Sequence, residues 1–222
     1  MTDIARLIDH SCLRPDATRK DIEQLCEEAK EYNFYSVCVH PSYTKIAGEC
    51  LSGSTIHIAS VIGFPLGMSL SKVKIYEAIE AVLSGADELD IVINIGEAKS
   101  HGWDSVEKEI TDIITATHGA VHKIIIEACY LTDNEKKSAC RAVMNAGAQF
   151  IKTSTGFGPS GALIKDVKLI KSLTRGKVGI KAAGGIRTLQ EVKEYMKAGA
   201  TRIGSSSGVK IMKEAALKEK SR

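Results

Sequence analysis

Eight short apolar runs alternate with amphipathic segments along this chain, and no other feature constrains its fold as strongly. The runs recur at roughly 20–35 residue intervals and are rich in Val and Ile, which is typical of strands buried on both faces. We predict strands at Leu7–Leu13, Ser36–His40, Ile56–Gly63, Glu88–Ile95, Lys123–Tyr130, Phe150–Ser154, Val178–Ala182 and Arg202–Gly204.

The segments between these runs carry apolar residues at helical spacing. We predict helices at Asp16–Tyr32, Ser71–Ser84, Asp104–Thr117, Asp133–Ala146, Ile164–Ser172, Thr188–Ala198 and Val209–Lys218. Strands that are joined through helices pair in parallel. Eight such units in 222 residues therefore predict an α/β fold with one catalytic domain over residues 1–222, a (β/α)8 TIM barrel. A doubly wound parallel sheet is the alternative.

Composition excludes several classes of protein. A net charge of +3 and 5% aromatic residues do not suggest a nucleic-acid-binding protein, although the slight positive excess suits a small anionic ligand. The longest apolar run, Ile56–Met68, is too short to span a membrane and contains Pro65. The first residues lack the basic and apolar regions of a signal peptide. We therefore expect a cytoplasmic protein with neither nucleic-acid nor membrane partners.

The cysteines and histidines do not predict a metal site. Six cysteines are scattered without a Cys-x-x-Cys pair, and free thiols are expected in a chain without an export signal. His118 and His122 are four residues apart, but Gly119 lies between them just before a strand, so a shared helix face is not expected. Cys38 fits a small core residue better than a nucleophile. No metal or other cofactor is expected.

Two lysines stand in otherwise apolar predicted strands, and glycines follow each of them within a few residues. In a barrel, Lys152 and Lys181 would lie at the C-terminal ends of neighbouring strands, where active sites are found. Two neighbouring lysines oppose each other's protonation, which is one way to make a nucleophilic amine. The alternative is that one or both ammonium groups extend to solvent from a strand end.

The energies are adequate for a neutral lysine. Neutrality at pH 7 requires a destabilisation of the ammonium form by about 4.6 kcal/mol. A like charge at ~5.5 Å in an effective dielectric of about 20 supplies roughly 3 kcal/mol. Desolvation can supply the remainder.

Carboxylates on several strands are predicted to point into the barrel. Period-two alternation places Glu88 and Asp90 on one face of the fourth predicted strand. Asp90 could move protons beside a lysine, or it could form a buried ion pair with Lys152 or Lys181. Asp9 and Glu127 fit charge balance better than direct chemistry.

Glycine-rich segments follow the last three predicted strands. Gly156-Phe-Gly-Pro-Ser-Gly161 matches the dinucleotide pattern G-x-G-x-x-G, but Lys181 stands near the position of the acidic residue that such sites need. We interpret this segment as a substrate loop. Gly184-Gly185 and Gly204-Ser-Ser-Ser-Gly208 follow the seventh and eighth strands, where barrels commonly hold a phosphate. Either loop alone could be an ordinary turn, but together with Arg187 they predict a phosphate site.

Six segments, in the same order along nearly the whole chain, resemble the deoxyribose-phosphate aldolase family. They are Ile8-Asp-His-Ser-Cys-Leu-Arg-Pro15, Val37-Cys-Val-His-Pro41, Glu88-Leu-Asp-Ile-Val-Ile-Asn-Ile-Gly96, Phe150-Ile-Lys-Thr-Ser-Thr-Gly-Phe157, Ile180-Lys-Ala-Ala-Gly-Gly-Ile-Arg187 and Arg202-Ile-Gly-Ser-Ser-Ser207.

The resemblance implies a class I aldolase that cleaves 2-deoxy-D-ribose 5-phosphate reversibly to D-glyceraldehyde 3-phosphate and acetaldehyde. Lys152 would form the Schiff base, Lys181 would favour its neutral form, and Asp90 would relay protons, working through water. Substrate and phosphate contacts are expected at Gly156, Gly184, Gly185, Arg187, Gly204, Ser206 and Ser207. Supporting positions are Asp9, Cys38, Glu127 and Thr155.

Some members of that family end in a tyrosine that reaches the active site, whereas the last tyrosine here is Tyr195. The expected partners are a phosphosugar and aldehydes, with a homodimer or homotetramer as the possible assembly. Two other functions stay open, a phosphosugar isomerase or synthase and a non-catalytic phosphosugar-binding barrel. The lysine pair favours the aldolase, because isomerases rarely need an imine.

Overall fold

The structure, a computed structural model, describes residues 4–220. Its eight parallel strands form a closed barrel in which each strand pairs with its sequence neighbours and β8 pairs with β1. The strands are β1 (Ile8–Ser11), β2 (Ser36–Val39), β3 (His57–Ile62), β4 (Glu88–Val92), β5 (Val121–Ile125), β6 (Phe150–Lys152), β7 (Gly179–Ala183) and β8 (Arg202–Ser205). The predicted (β/α)8 barrel is confirmed, and the doubly wound sheet is wrong.

Helices follow the strands and cover the outside of the barrel. They are α1 (Arg19–Tyr32), α2 (Pro41–Cys50), α3 (Ser71–Leu83), α4 (Ile95–Lys99), α5 (Trp103–Ala116), α6 (Asp133–Asn145), α7 (Ile164–Thr174), α8 (Leu189–Ala198) and α9 (Gly208–Lys220). Capping boxes begin three of them, at Thr18, Thr132 and Thr188. In each box a threonine and an acidic residue satisfy backbone N–H groups that the first turn leaves free.

The predictions missed helix α2, which follows β2. This helix begins at Pro41, whose fixed backbone φ suits the first helical position. Its apolar periodicity is weak because only Thr44 and Ala47 are buried. The helix is therefore stabilised by its packing against α1 and β3 more than by a strong sequence pattern.

Most predicted strands ran past their observed C-terminal ends, and two did so by three residues or more. The fourth ends at Val92 instead of Ile95, because the Asn94 side chain accepts a hydrogen bond from Glu97 N and caps α4. The fifth ends at Ile125 instead of Tyr130. The reason there is the left-handed backbone of Glu127, with φ 42°, which leads into a 3₁₀ turn at Ala128–Tyr130.

The main apolar core lies between the barrel and its helices, and the barrel interior is different. On the side of β2 and β3 it carries a small apolar cluster of Cys38, Ala59 and Val61. On the opposite side, buried charged residues of β1, β4, β5, β6, β7 and β8 point inward. The fold thus brings ionisable groups together at low exposure, where their interactions are strong.

The structure also bears on the expected cysteine thiols and on the helices. All six cysteines are free thiols, as predicted, and they are Cys12, Cys26, Cys38, Cys50, Cys129 and Cys140. No helix among residues 4–220 combines the length and the apolar character that crossing a membrane requires. The last two residues of the chain, part of the tail that lacks a tyrosine, lie outside the described range.

Candidate active site

Strand register places the two predicted lysines side by side. Lys152 and Lys181 are directly paired between β6 and β7. Their side chains are buried, and each Nζ lies 2.7 Å from the same atom, Asp90 Oδ2. The structure therefore brings together the three residues predicted as catalytic, and neither lysine extends to solvent.

The sequence analysis missed a third lysine and an arginine in the same cluster. Lys123 of β5 is fully buried, and its Nζ lies 2.7 Å from both Asp90 Oδ1 and Glu88 Oε2. Arg202 of β8 pairs with Asp9 at 2.8 Å and with Glu88 at 3.1 Å. Both cations belong to predicted strands. A single charged residue beside apolar strand residues is the sequence signal from which both could have been predicted.

Asp9 lies where it was expected to balance charge. Its carboxylate is fully buried, with Lys181 Nζ at 2.5 Å and Lys123 Nζ at 3.6 Å, in addition to Arg202. Burial would raise its pKa, but these three cations outweigh burial and hold the pKa of Asp9 below its ordinary value.

Asp90 is the centre of the cluster. Burial by itself would raise its pKa, but the ammonium groups of Lys123, Lys152 and Lys181 outweigh burial and hold the pKa well below the ordinary value. Asp90 is therefore a carboxylate in the resting protein. Burial would lower the pKa values of Lys123 and Lys181, yet the nearby carboxylates raise both. These two lysines are therefore ammonium ions.

The buried cluster has one more cation than it has carboxylates. Its four basic residues are Lys123, Lys152, Lys181 and Arg202, and its three acids are Asp9, Glu88 and Asp90. Lys123, Lys181 and Arg202 each contact at least two of the acids. Lys152 contacts one, through an oxygen that Lys181 shares, so it has the fewest carboxylate contacts of the four cations.

A cavity of about 480 Å³ opens above this cluster. Eleven of the predicted site residues line it: Asp9, Cys38, Lys152, Thr155, Gly156, Lys181, Gly184, Gly185, Arg187, Gly204 and Ser206. Asp90 and Glu127 are buried behind its wall, and Ser207 does not line it. The cavity also reaches residues that no prediction covered, including Arg14 and Gln24 of the β1 side and Ser205.

Glu127 anchors the loop that follows Lys152. Its two carboxylate oxygens each accept a hydrogen bond from Thr155 N at 3.2 Å, and the Thr155 hydroxyl donates to Glu127 as well. Thr155 Oγ1 accepts in turn from Phe157 N at 3.0 Å. Glu127 thus positions the backbone between Lys152 and the cavity mouth and does not line the cavity itself.

Two of the glycine-rich loops touch each other through backbone atoms. A Cβ on Gly161 would lie 2.1 Å from Gly184 O, and Gly184 itself has φ 94°. Gly156 has φ 91°, a region that only glycine occupies without strain. The G-x-G-x-x-G pattern therefore serves loop-to-loop packing beside the cavity.

The loops after β7 and β8 have the form expected of an anion site. Gly185 and Arg187 are exposed at the cavity, and Ser206 is exposed in front of α9. Ser205, which the predictions left out, fixes the second loop, since its hydroxyl donates to Ile186 O at 2.6 Å and accepts from Ser207 N at 2.9 Å.

Cys38 is not placed or charged as a nucleophile. Its thiol is buried 3.8 Å from Asp90 Oδ2, and burial together with that carboxylate raises the pKa of Cys38 to about 11. Among residues 4–220, no group of three or more His, Cys, Asp and Glu side chains is arranged to hold a metal ion. His122 instead contacts Thr117 at 2.8 Å.

Comparison with known proteins identifies the family. The model of the DeoC/LacD family aldolases matches residues 4–214. The chain belongs to this aldolase family. The predicted resemblance is thereby confirmed, and the chain is an aldolase, an enzyme of the carbon–carbon lyase class.

Relatives of this aldolase are similar over nearly their whole length. The deoxyribose-phosphate aldolase of Aciduliprofundum boonei is 51% identical over 95% of this chain and 96% of that protein. That of Thermococcus gammatolerans is 50% identical over 96% of both.

Solved structures agree in fold. An aldolase designated QR15 has a TM-score of 0.95 at 43% identity, covering 99% of this chain and 98% of its own. The deoxyribose phosphate aldolase of Aeropyrum pernix, described as a unique tetramer, has a TM-score of 0.90 at 35% identity over 96% and 91% of the two chains.

Proposed function

We propose that this aldolase cleaves 2-deoxy-D-ribose 5-phosphate reversibly to D-glyceraldehyde 3-phosphate and acetaldehyde, as a step in the breakdown of deoxyribose phosphate. The curated relatives cited above carry the name of this activity. The observation that carries the mechanism is the placement of Lys152, buried at the cavity with a single carboxylate oxygen that it shares with Lys181.

Lys152 is the group that we assign as nucleophile, because it lines the cavity and contacts a single carboxylate oxygen. Removal of one proton from the cluster leaves three cations and three carboxylates. Arg202 cannot supply that proton at any ordinary pH. Lys123 and Lys181 are held as ammonium ions by two or more carboxylates each. A neutral Lys152 beside the Lys181 cation is a nucleophilic amine.

The reaction then follows from an imine. Neutral Lys152 adds to the aldehyde carbon of the open-chain sugar, and loss of water gives a protonated imine. The proton leaves the hydroxyl on sugar carbon 3, whose oxygen becomes the carbonyl of the leaving aldehyde, and the bond between carbons 2 and 3 breaks. Its electron pair forms a double bond between carbons 1 and 2, and the π pair of the imine moves to nitrogen. Glyceraldehyde 3-phosphate departs and an enamine remains. Protonation of the enamine and hydrolysis release acetaldehyde and free Lys152.

Asp90 and Lys181 are the residues that we assign to proton transfer. Asp90 is a carboxylate in the resting protein, so it acts first as a base. It takes the proton of the hydroxyl on sugar carbon 3 through a water molecule, and it later returns a proton to the enamine. Lys181, an ammonium ion within hydrogen-bonding distance of Asp90, keeps the transferred proton within the cluster.

The phosphate of the substrate would lie between the last two loops. Backbone N–H groups near Gly184, Gly185 and Gly204 and the N-terminus of α9 favour an anion there. Ser206 adds a hydroxyl donor and Arg187 a positive charge, and both line the cavity. A bound phosphate at this position leaves the sugar chain to extend toward Lys152.

Borohydride trapping tests this function directly. With 2-deoxyribose 5-phosphate present, reduction should leave a stable covalent adduct at Lys152, and the coupled assay should detect glyceraldehyde 3-phosphate. Lys152→Met should abolish both signals. Lys193→Met, which changes an exposed lysine of α8, should leave both unchanged.

Other outcomes would replace the proposal. An unmodified, fully active protein after borohydride treatment would refute the imine. Activity that is lost in chelator and restored by zinc would indicate a metal-dependent aldolase. Binding of the sugar phosphate without turnover, unaltered in Lys152→Met, would indicate a binding protein.

Three broader assignments belong to the same proposal. Residues 1–222 form one catalytic domain, the enzyme works in the cytoplasm, and it assembles as a homodimer or homotetramer. The tetrameric description of the Aeropyrum pernix relative supports an assembly of identical chains.

A further inference from the structure

Two of the six free cysteines are neighbours in the fold. Cys26 is a buried residue of helix α1, and Cys50 is the partly exposed last residue of helix α2. The two helices pack against each other, and both cysteines contribute to the same apolar core. The Cys50 side chain acts on the Cys26 thiol as a direct hydrogen-bonding neighbour. We call these two residues the α1–α2 thiol pair.

A hydrogen bond one helical turn further along α1 supports this arrangement. Lys30 follows Cys26 by four residues, so the two side chains lie on the same face of the helix. Lys30 Nζ donates a hydrogen bond to Cys50 O at 3.3 Å. The face of α1 that carries Cys26 is therefore the face that meets the end of α2.

The two thiols differ in how far reagents in solution can reach them. Cys50 is partly exposed, and the chain after it forms a turn that contains Gly53. Cys26 is fully buried, and burial raises the pKa of its thiol to about 12, with the Cys50 thiol adding to the shift. A buried thiol with a high pKa reacts slowly with an oxidant in solution. An accessible thiol beside a second thiol is the arrangement found in redox-sensitive pairs.

The other four cysteines have different surroundings. The thiols of Cys38 and Cys129 each contact a carboxylate oxygen at 3.8 Å. Cys12 lines the active-site cavity. At Cys140, burial alone raises the pKa of the thiol to about 12. Among the residues that the structure describes, the α1–α2 thiol pair is therefore the one placed for two thiols to react with each other.

We propose that Cys26 and Cys50 form a reversible disulfide when the protein meets a hydroperoxide, of which hydrogen peroxide is the simplest. The Cys50 sulfur loses its proton and attacks one peroxide oxygen, the O–O bond breaks, and water leaves, so that Cys50 becomes a sulfenic acid. The Cys26 sulfur then attacks the Cys50 sulfur, and the S–O bond breaks. The hydroxyl group leaves with the Cys26 proton as a second water. Two thiols are thereby oxidised by two electrons, and one peroxide is reduced.

The disulfide would restrain one wall of the active-site cavity. Gln24, Leu25 and Glu28 of α1 line that cavity and flank Cys26 in sequence. A bridge to α2 closes a loop of about 25 residues, which restricts the unfolded chain and raises the unfolding temperature. The thiol pair contains none of the residues assigned to the reaction. The proposed modification therefore does not depend on the proposed function.

Peptide mapping of the oxidised full chain tests the proposal. The protein is treated with hydrogen peroxide, its remaining thiols are alkylated in denaturant, and it is digested with trypsin. Cys26 then lies in the peptide of residues 21–30, Cys50 in that of residues 46–72, and Cys38 in that of residues 31–45. Peptides 21–30 and 46–72 should be linked, and dithiothreitol should separate them. Oxidation should also raise Tm by several degrees, and dithiothreitol should reverse the rise.

Three substitutions distinguish this pair from general oxidation. Cys50→Ser removes the exposed thiol and should abolish both the linked peptides and the rise in Tm. Cys26→Ala should leave the sulfenic acid at Cys50 without a thiol to react with, so dimedone should label Cys50. Cys140→Ala is the matched control, because it removes an equally buried thiol of α6. It should keep the linked peptides and the rise in Tm.

Two results would overturn the proposal. One is a wild-type protein whose Cys26 is still free after excess peroxide, whether or not Cys50 has been oxidised. The other is a linked peptide that joins Cys50 to a different cysteine. Cys50→Ser changes a partly exposed position, so the test remains decisive if circular dichroism shows that the buried substitution Cys26→Ala alters folding.

Discussion

At the scale of single residues, the main feature of this aldolase is the sharing of one carboxylate. Asp90 receives three lysine ammonium groups through its two oxygens. A buried charge is costly unless it is paired. The cluster has one more cation than it has carboxylates, and Lys152 is the cation with the fewest carboxylate partners. The proposed reactivity of Lys152 is therefore a property of the cluster and not of the lysine alone.

Replacement of Lys181 by methionine should slow imine formation by about 100-fold at pH 7, because the like charge next to Lys152 supplies roughly 3 kcal/mol. The loss should shrink as the pH rises, since alkaline solution favours the neutral form of a lysine amine in any environment. The measurement is the rate of borohydride trapping between neutral and alkaline pH.

Lys181→Arg is the control for that experiment, since it keeps the charge and should keep the wild-type dependence on pH. A Lys181→Met protein whose trapping follows the wild-type pH curve would contradict the assigned role.

At the scale of elements, the site depends on loops that are held by backbone contacts. Glu127 clamps the loop after β6 through Thr155, and Gly161 packs on Gly184 of the loop after β7. Two loops that carry different parts of the site thus share one rigid contact. Such support is what holds a catalytic arrangement in a productive geometry.

Gly161→Ala should raise KM for the sugar phosphate by about tenfold and lower Tm, because its Cβ would lie 2.1 Å from a backbone oxygen that cannot move independently. Steady-state kinetics and thermal unfolding measure the two effects.

Gly48→Ala is the matched glycine control. Its Cβ would meet Ile58 Cδ1 at an ordinary 3.7 Å inside helix α2, so KM should stay unchanged and stability should rise by about 0.5–1 kcal/mol. Equal behaviour of the two alanine variants would show that the loop contact is unimportant.

At the scale of the whole molecule, one buried charge cluster joins six of the eight strands. It includes residues of β1, β4, β5, β6, β7 and β8, and no single element can form it. The cluster lines the barrel interior along those six strands, while apolar side chains line it along β2 and β3. Stability and site geometry therefore depend on the same ion pairs.

This dependence predicts a stability plateau between acid and alkaline limits. The pKa values of Asp9 and Asp90 are lowered in the folded protein, so their contribution is present above about 3.8 and is lost as the pH falls below that value. The pKa values of Lys123 and Lys181 are raised, so their contribution is present below about 10.5 and is lost above it.

Thermal unfolding as a function of pH checks this prediction. Tm should stay nearly constant from pH 7 to pH 9 and decline steeply below pH 4. A Tm that is the same at pH 3 and pH 6 would mean that the cluster does not contribute to stability.

The local sequence pattern was enough to predict the fold and the three residues proposed as catalytic. Apolar runs and helical spacing predicted the barrel, and isolated charges in those runs predicted Lys152, Lys181 and Asp90. Such signals are readable because burial of an ionisable group is rare and costly at the level of the sequence. Helix α2 was missed for the converse reason, since its pattern is weak and packing stabilises it.

Only the tertiary structure decided how the charges combine. Asp90 is 62 residues from Lys152 and 91 from Lys181, and the identity of their shared oxygen depends on barrel closure and strand register. Lys123, Glu88 and Arg202 join the cluster for the same reason. Periodicity indicates which face of a strand a side chain occupies. The net charge of the cluster, one cation in excess, depends on residues from six strands that are distant in sequence. A local sequence pattern therefore carries no information about it.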